Sequence, residues 1–360
     1  MLSMRTTIAA LAVAATLGSI AVAGGGAGFQ DPLALPAQAS PLAARGLLQG
    51  VALAGQRLVA VGQRGHVVVS DDSGGTWQQA QVPVSSDLTA VFFASDRKGW
   101  AVGHDGVVLA TSDGGLNWTL QLDGRKANER LVEHLRQRVQ AQPEAAELKA
   151  LLGEAERFAA QGPDKPFLGV WFADESNGWV VGAYNLIFRT ADGGATWQPW
   201  FDRTDNPKLL NLHAIAPAGD GLYVVGEAGL LLRLDAAAQR FVARPTPYSG
   251  SFFGVAGNAS TVLAFGLRGN AYAADAGGNG WQKLEVGLPA AIVAATRLPD
   301  GALLLADAGG RLALSGPGGR DFKPVAIKPS MPLAGIADAG GGRVALAGLR
   351  GVVVTPLPAR

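Results

Sequence analysis

A short apolar run ending in a small residue returns along this chain about every forty residues. That return limits the fold more than any other feature. The runs end at Gly62, Gly103, Gly182, Gly226, Gly266, Ala306 and Gly348, in steps of 41, 79, 44, 40, 40 and 42 residues. The long step is one period plus an insertion of about one further period. Fifteen residues after each of the first five ends stands an aromatic, Trp77, Trp118, Trp197, Phe241 and Trp281, and Phe322 follows the sixth by sixteen. Each unit reads as four short strands, clearest in the second repeat at 88–93, 100–102, 107–111 and 118–122, with Gly, Asp and Asn between them. A blade of this kind cannot cover both of its faces alone, and a period near forty with four strands is the signature of a propeller. The fold expected is therefore all-β, a seven-bladed β-propeller over 47–360. Its seventh unit has runs at 333–337, 344–347 and 352–355 and then meets Pro356 and Pro358, which oppose a fourth strand. The N-terminal segment 24–46, within it 31–43, is expected to supply that strand and close the seam. The alternative is a disordered leader, favoured by Pro32, Pro36 and Pro41.

Composition agrees with many tight turns around a large core. Of 360 residues, 50 are Gly, 48% are hydrophobic and only 16% are charged. The net charge of +1 offers no global field for nucleic acid, so no nucleic-acid partner is expected. The absence of Cys excludes disulfides and thiolate chemistry. Arg5, the apolar run 8–22 and the small residues Ala21 and Ala23 form the pattern of a signal peptide over 1–23. An uncleaved anchor is the alternative, although the run is short for a span. The expectation is an exported, periplasmic, soluble monomer with no membrane span after cleavage and no cofactor.

Three repeats carry a sharper motif between their third and fourth strands. Ser70, Asp72, Gly74 and Trp77 fit S-x-D-x-G-x-T-W, and so do Thr190, Asp192, Gly194 and Trp197 with Thr first. Thr111, Asp113, Gly115 and Trp118 fit with Asn117 in place of Thr. This is the Asp box of BNR repeats. Its Asp can hold the turn through backbone N–H groups while the Trp fills the gap between blades, a structural role. Calcium or sugar binding by these aspartates is the functional alternative. Ala236, Ala276 and Pro317 replace the Asp in later repeats while the aromatic persists, which favours the structural role. The segments GWAVGHDGVVLATSDGGLNW (99–118) and GWVVGAYNLIFRTADGGATW (178–197) resemble repeats of the photosystem II stability and assembly factor family. The resemblance spans about 47–355 apart from the insertion. It implies a seven-bladed propeller and a non-catalytic assembly or scaffold role with a protein partner, a membrane-protein complex such as photosystem II or a transporter. Relatives also occur in non-photosynthetic bacteria, and nothing in this chain demands photosynthesis.

The turns between second and third strands share one face of a propeller with the links between blades. They carry Arg64, His104, Tyr184, Glu227, Arg268 and Arg350. Ring closure makes Arg64 and Arg350 neighbours, with Arg268 two blades from Arg350, so a cationic arc could grip partner carboxylates. Solvated turn residues are the alternative reading. The insertion at 125–165 has 15 charged residues among 41. Leu131, Leu135 and Val139, then Leu148, Leu151, Leu152 and Phe158 after Pro143, fall at helical spacing. They predict a helical hairpin on that same face, packed on the propeller or forming a wall of the partner site.

A sialidase-like hydrolase is the enzyme alternative. Arg64, Arg268 and Arg350 would match its arginine triad, and Tyr184 with Glu227 its nucleophile pair. Against it stand the sialidase's six blades and the lack of a separate acid–base Asp. His66, His104, His134 and His213 are too scattered to suggest a metal site, and none is expected. A third reading is glycan or small-ligand binding in the central channel.

Overall fold

A computed structural model describes residues 30–327 and 331–358. The expected signal peptide at 1–23 lies outside them. The described residues form seven antiparallel sheets, six of four strands and one of three. They occupy 48–79, 88–122, 167–199, 212–243, 252–284, 292–325 and 333–356, here blades 1 to 7. The first strand of every blade touches that of the next, and the first strand of blade 7 touches that of blade 1, which closes the ring.

Second strands such as Gly99–Gly103, Gly178–Gly182 and Thr261–Gly266 are buried along their whole length. Neighbouring blades cover both of their faces, so they read as continuous apolar runs. The small residue closing each run answers to space. A Cβ on Gly62, Gly103, Gly182, Gly226, Gly266 or Gly348 would stand 2.1 to 2.2 Å from the carbonyl oxygen of the residue that leads into the same blade. In blade 6 the strand partner at this corner is Asp307, not Ala306. The true corner lies one residue later, and Phe322 then falls fifteen residues after it like its counterparts. The fully buried Asp307 turns Oδ1 to the Arg311 N–H at 2.8 Å, and Oδ2 has no partner among the described residues.

The fifteen-residue spacing carries each aromatic onto the preceding blade. Trp118 packs with Val59 and Val61 of blade 1, Trp197 with Trp100 of blade 2, and Phe241 with Trp179 of blade 3. The three aspartates satisfy themselves inside their turns. Asp72 accepts the Ser70 hydroxyl, the Thr76 N–H and the Thr76 hydroxyl, each at 2.8 Å. Asp192 repeats this with Thr190 and Thr196, and Asp113 with Thr111, Leu116 and Asn117. The Thr76 N–H and hydroxyl, with Ser70, hold the exposed Asp72 carboxyl down to about 2. For Asp113 burial pushes upward, and the bonds from Asn117, Thr111 and Leu116 outweigh it.

The expected closing strand is not formed by the described residues. Blade 7 has three strands, and 31–46 forms two short 3-10 turns, Pro32–Ala34 and Ala43–Arg45. Its prolines and its bonding explain this. The segment runs along blade 1, where the Ala37 N–H bonds Val82 O at 3.0 Å and Gln38 O accepts from Gln79 at 2.9 Å. It closes the seam in another way. In five blades the glycine ending the second turn lies against the linker to the next blade, as Gly269 does against Leu288. Blade 3 uses Asn185 there, whose amide donates to Phe201 O at 3.0 Å. At blade 7 the partner of Gly351 is Ala44, so the N-terminal segment takes the linker's place.

The insertion is the expected helical hairpin, α1 (Gly124–Ala141) and α2 (Ala146–Gln161). Asp123 caps α1 through the Arg125 and Lys126 N–H groups at 2.9 and 3.0 Å. Pro143 does not start the second helix, because 142–145 closes as a turn through an Ala145 N–H bond to Gln142 O. Leu131, Leu135, Ala155 and Phe158 are buried with blades 2 and 3, while Val139 is only half-buried.

Two stability experiments follow. Gly269→Ala places a Cβ 1.9 Å from Leu288 O at a φ of +71°. It should cost at least about 2 kcal/mol in urea unfolding, whereas Gly153→Ala, in open space on α2, should gain up to about 1 kcal/mol. Equal effects would show that the linker contact does not constrain the ring. The Asp72 carboxyl is lower when folded than when unfolded, so its contribution is whole above about pH 4 and lost as pH falls toward about 2. A carboxyl NMR titration should place its midpoint near 2, and a midpoint near 3.8 would mean the turn bonds are not formed.

Candidate functional site

The second-to-third turns give one face of the ring a set of equivalent tips. In blades 1 to 5 the tip is Arg64, Asp105, Tyr184, Ala228 and Arg268, all left-handed with φ between 51° and 58°. Their shape is held locally. The Arg64 N–H bonds the Asp87 carboxylate at 2.7 Å, and the Tyr184 N–H bonds the Asn211 side chain at 2.7 Å. Arg350 is the tip of blade 7, in a two-residue turn between Gly348 and Gly351.

Arg64, Arg268 and Arg350 are exposed, and none has an ion-pair partner among the described residues. Blades 7 and 1 are neighbours, so Arg64 and Arg350 stand on adjacent tips. His104 is exposed beside the tip of blade 2, where Asp105 accepts the Ser86 hydroxyl at 2.6 Å. Glu227 is otherwise engaged. Its two oxygens take the Asn211 N–H at 2.9 Å and the Asn211 amide at 3.1 Å, which pins the linker into blade 4. Tyr184 instead lies 5.8 Å from the Phe158 ring of α2, with Lys165 Nζ over it at 5.7 Å. Tyr184 and Glu227 share no hydrogen bond among the described residues, so the nucleophile pair is not assembled.

Sequence reading missed the apolar part of this face. The exposed large hydrophobic residues among the described ones are Leu42 (60%), Leu349 (56%), Tyr184 (52%) and Leu267 (38%). Leu267 and Leu349 precede Arg268 and Arg350 in their turns, and Leu42 begins the 3-10 turn lodged against blade 7. The recurrence of a leucine directly before a turn arginine, at 267–268 and 349–350, was the available signal.

The hairpin reaches the same face through Phe158, Lys165 and the contact of α1 with 104–106. The C-terminal half of α1 is fastened by Asp202, whose side chain is 1% exposed and binds His134 at 2.9 Å and Arg138. Burial raises the Asp202 carboxyl, but the bond and charge of His134 and the charge of Arg138 prevail and lower it. The central channel holds a cavity of about 270 Å³ lined by the first strands. Its hydrogen-bonding side chains are Gln49, Thr89 and His213, and the last two are spent on Phe167 O and Phe252 O at 2.7 Å. No three His, Asp or Glu side chains converge as a metal site among the described residues. No helix among them is long and apolar enough to cross a membrane.

Comparison with known proteins agrees with this geometry. No curated protein sequence matches the chain. A solved structure described as YCF48 bound to D1 peptide superposes with a TM-score of 0.62 at 15% identity, over 92% of this chain and 98% of that one. YCF48 from Cyanidioschyzon merolae gives 0.59 at 16% identity, over 87% and 96%. A streptogramin B lyase gives 0.65 at 12% identity, over 88% and 95%, so the fold also serves an enzyme. At these identities the likeness shows the fold alone. The sequence model of the photosynthesis system II assembly factor YCF48 matches residues 42–135 and 160–324, most of the chain on both sides of the insertion, and the protein belongs to that family.

Proposed function

We propose that this protein is a non-catalytic, exported assembly factor that docks its turn face onto a protein client, a membrane-protein complex. One observation carries the reading. The exposed large apolar side chains among the described residues share a single face with three arginines that have no ion-pair partner. Leucines beside unpaired guanidinium groups suit a client segment that presents carboxylates among apolar residues. Family membership supports an assembly role, and one solved relative is described as holding a peptide. The hairpin forms a wall of the site through Tyr184 and Phe158. The signal-peptide pattern of 1–23 supports a periplasmic location for the site. The aspartate turns act as structure, because their carboxylates are already bonded within the turn.

The test is crosslinked capture from membranes with Arg64→Glu, Arg268→Glu and Arg350→Glu combined. Capture of the client should fall at least about tenfold with the β-sheet circular dichroism unchanged. A second variant, Leu267→Ser with Leu349→Ser, should weaken capture without altering charge. Undiminished capture by both would place the site elsewhere. A fluorogenic sialoside should not be turned over, and turnover abolished by Glu227→Ala would instead support the hydrolase reading.

A further inference from the structure

The described residues sort their exposed charges onto opposite faces of the ring. Outside the insertion 125–165, the turn face exposes Arg64, Arg268 and Arg350, joined by Arg45, Lys208 and Arg244 on the chain between blades and by Arg311 beside the tip of blade 6. None of the seven has an ion-pair partner among the described residues. Glu285 is the exposed carboxylate among them. Carboxylates gather instead at the other end of the strands. First-to-second and third-to-fourth turns share that end, and the Gly114 N–H joins them in blade 2 by bonding Arg97 O at 2.9 Å. The third-to-fourth turns expose Asp72, Asp192, Asp235, Asp275 and Asp321, and the first-to-second turns expose Asp96, Glu175 and Asp220. The exposed cations there are Arg97 and Arg297.

The apolar residues follow the cations. Leu42, Leu267 and Leu349, exposed on the turn face, precede Arg45, Arg268 and Arg350 by three residues or fewer. A five-residue strand such as Gly99–Gly103 spans about 16 Å, twice the screening length of about 8 Å at physiological salt. A net charge of +1 therefore conceals one cationic, leucine-tipped side and one acidic side, each screened from whatever meets the other. The cations are also spread around the ring. Arg45, Arg64 and Arg350 stand where blades 7 and 1 meet, Lys208 before blade 4, Arg244 and Arg268 at blades 4 and 5, and Arg311 on blade 6. A single client segment crosses only some of these positions, whereas an anionic plane laid on the face meets all of them.

We propose that the turn face docks on an anionic lipid surface. The seven cations meet headgroup phosphates, to which guanidinium and ammonium groups donate charged hydrogen bonds. Leu42, Leu267 and Leu349 enter the headgroup layer and add apolar burial to the charge. The carboxylates of the opposite face are repelled by the same surface, which leaves one orientation of the ring. Docking in this way turns the face assigned to the client toward a membrane, and it stands whether or not a client binds there. Arg45, Lys208, Arg244 and Arg311 lie outside the three arginines assigned to the client and separate the two roles.

The probe is vesicles of phosphatidylcholine with about 30% phosphatidylglycerol, sedimented with the chain from residue 24 onward, which lacks the apolar run 8–22. Saturable binding is expected, at least about tenfold stronger than to phosphatidylcholine alone and weakened at least about tenfold between about 0.1 and about 0.5 M salt. Arg45→Glu, Lys208→Glu, Arg244→Glu and Arg311→Glu combined should weaken it at least about tenfold and leave capture from detergent-solubilised membranes intact. Vesicle binding without client capture would sink the client reading and leave this one standing. The chain has no Cys, so a polarity-sensitive dye can be placed singly in blade 4, at Ala228→Cys on the turn face or Ala237→Cys on the opposite face, both exposed. Anionic vesicles should blue-shift the dye at 228 and not at 237. If the fourfold variant unfolds, this pair carries the test. Equal shifts at both positions, equal binding to neutral vesicles, or an unweakened and folded fourfold variant overturns the proposal. So does the lack of saturable binding up to about 1 mM lipid, the result for a face that serves a protein alone.

Discussion

The close approach of backbone to backbone at the corner of six of the seven blades governs the rest of the molecule. In those six a second strand ends where the chain enters the same blade, with no room for a side chain between them. That contact sets how the first and second strands meet, and so the spacing at which seven first strands form a ring. The turn beyond the corner is seated in the same way on the next linker. Both contacts are steric and backbone-based, so they survive while other features of the repeat decay. The full Asp box is confined to the first three blades, with Asp235 and Asp275 bonding the turns of blades 4 and 5 from another position, but the ring closes through all seven.

The parts of the fold that depend on these contacts were legible in the sequence. Glycine at the corner and an aromatic fifteen residues later are dictated by local space, so counting residues located every blade. The sixth corner was misplaced by one because Asp307 stands where a glycine was sought. A buried aspartate that bonds its own turn does not look like a small residue. The seam was harder still. Blade 7 seemed to need a strand, and the N-terminal segment seemed able to provide one. What stands in for the missing linker, beside the packed first strands of blades 7 and 1, is Ala44 against Gly351, and nothing in residue type distinguishes that from any other loop contact.

The candidate site was legible in its charge and not in its apolar part or its internal bonds. Arginines at equivalent turn positions stand out by alignment. Glu227 stood out equally, yet its carboxylate belongs to Asn211 across a linker, a pairing sixteen residues apart with no motif to announce it. Tyr184 was singled out as a chemical group and proves to be an aromatic surface against the hairpin. Such assignments depend on which neighbour arrives first in space, and sequence spacing does not report that.

The tips of the turns separate two kinds of inheritance. Their main chain is imposed from beneath by the seat on the linker and by side chains such as Asp87 and Asn211. Their side chains do not set that turn, because arginine, aspartate, tyrosine and alanine all adopt the same left-handed conformation. The chemistry of this rim can therefore be changed one residue at a time while the ring that displays it stays the same.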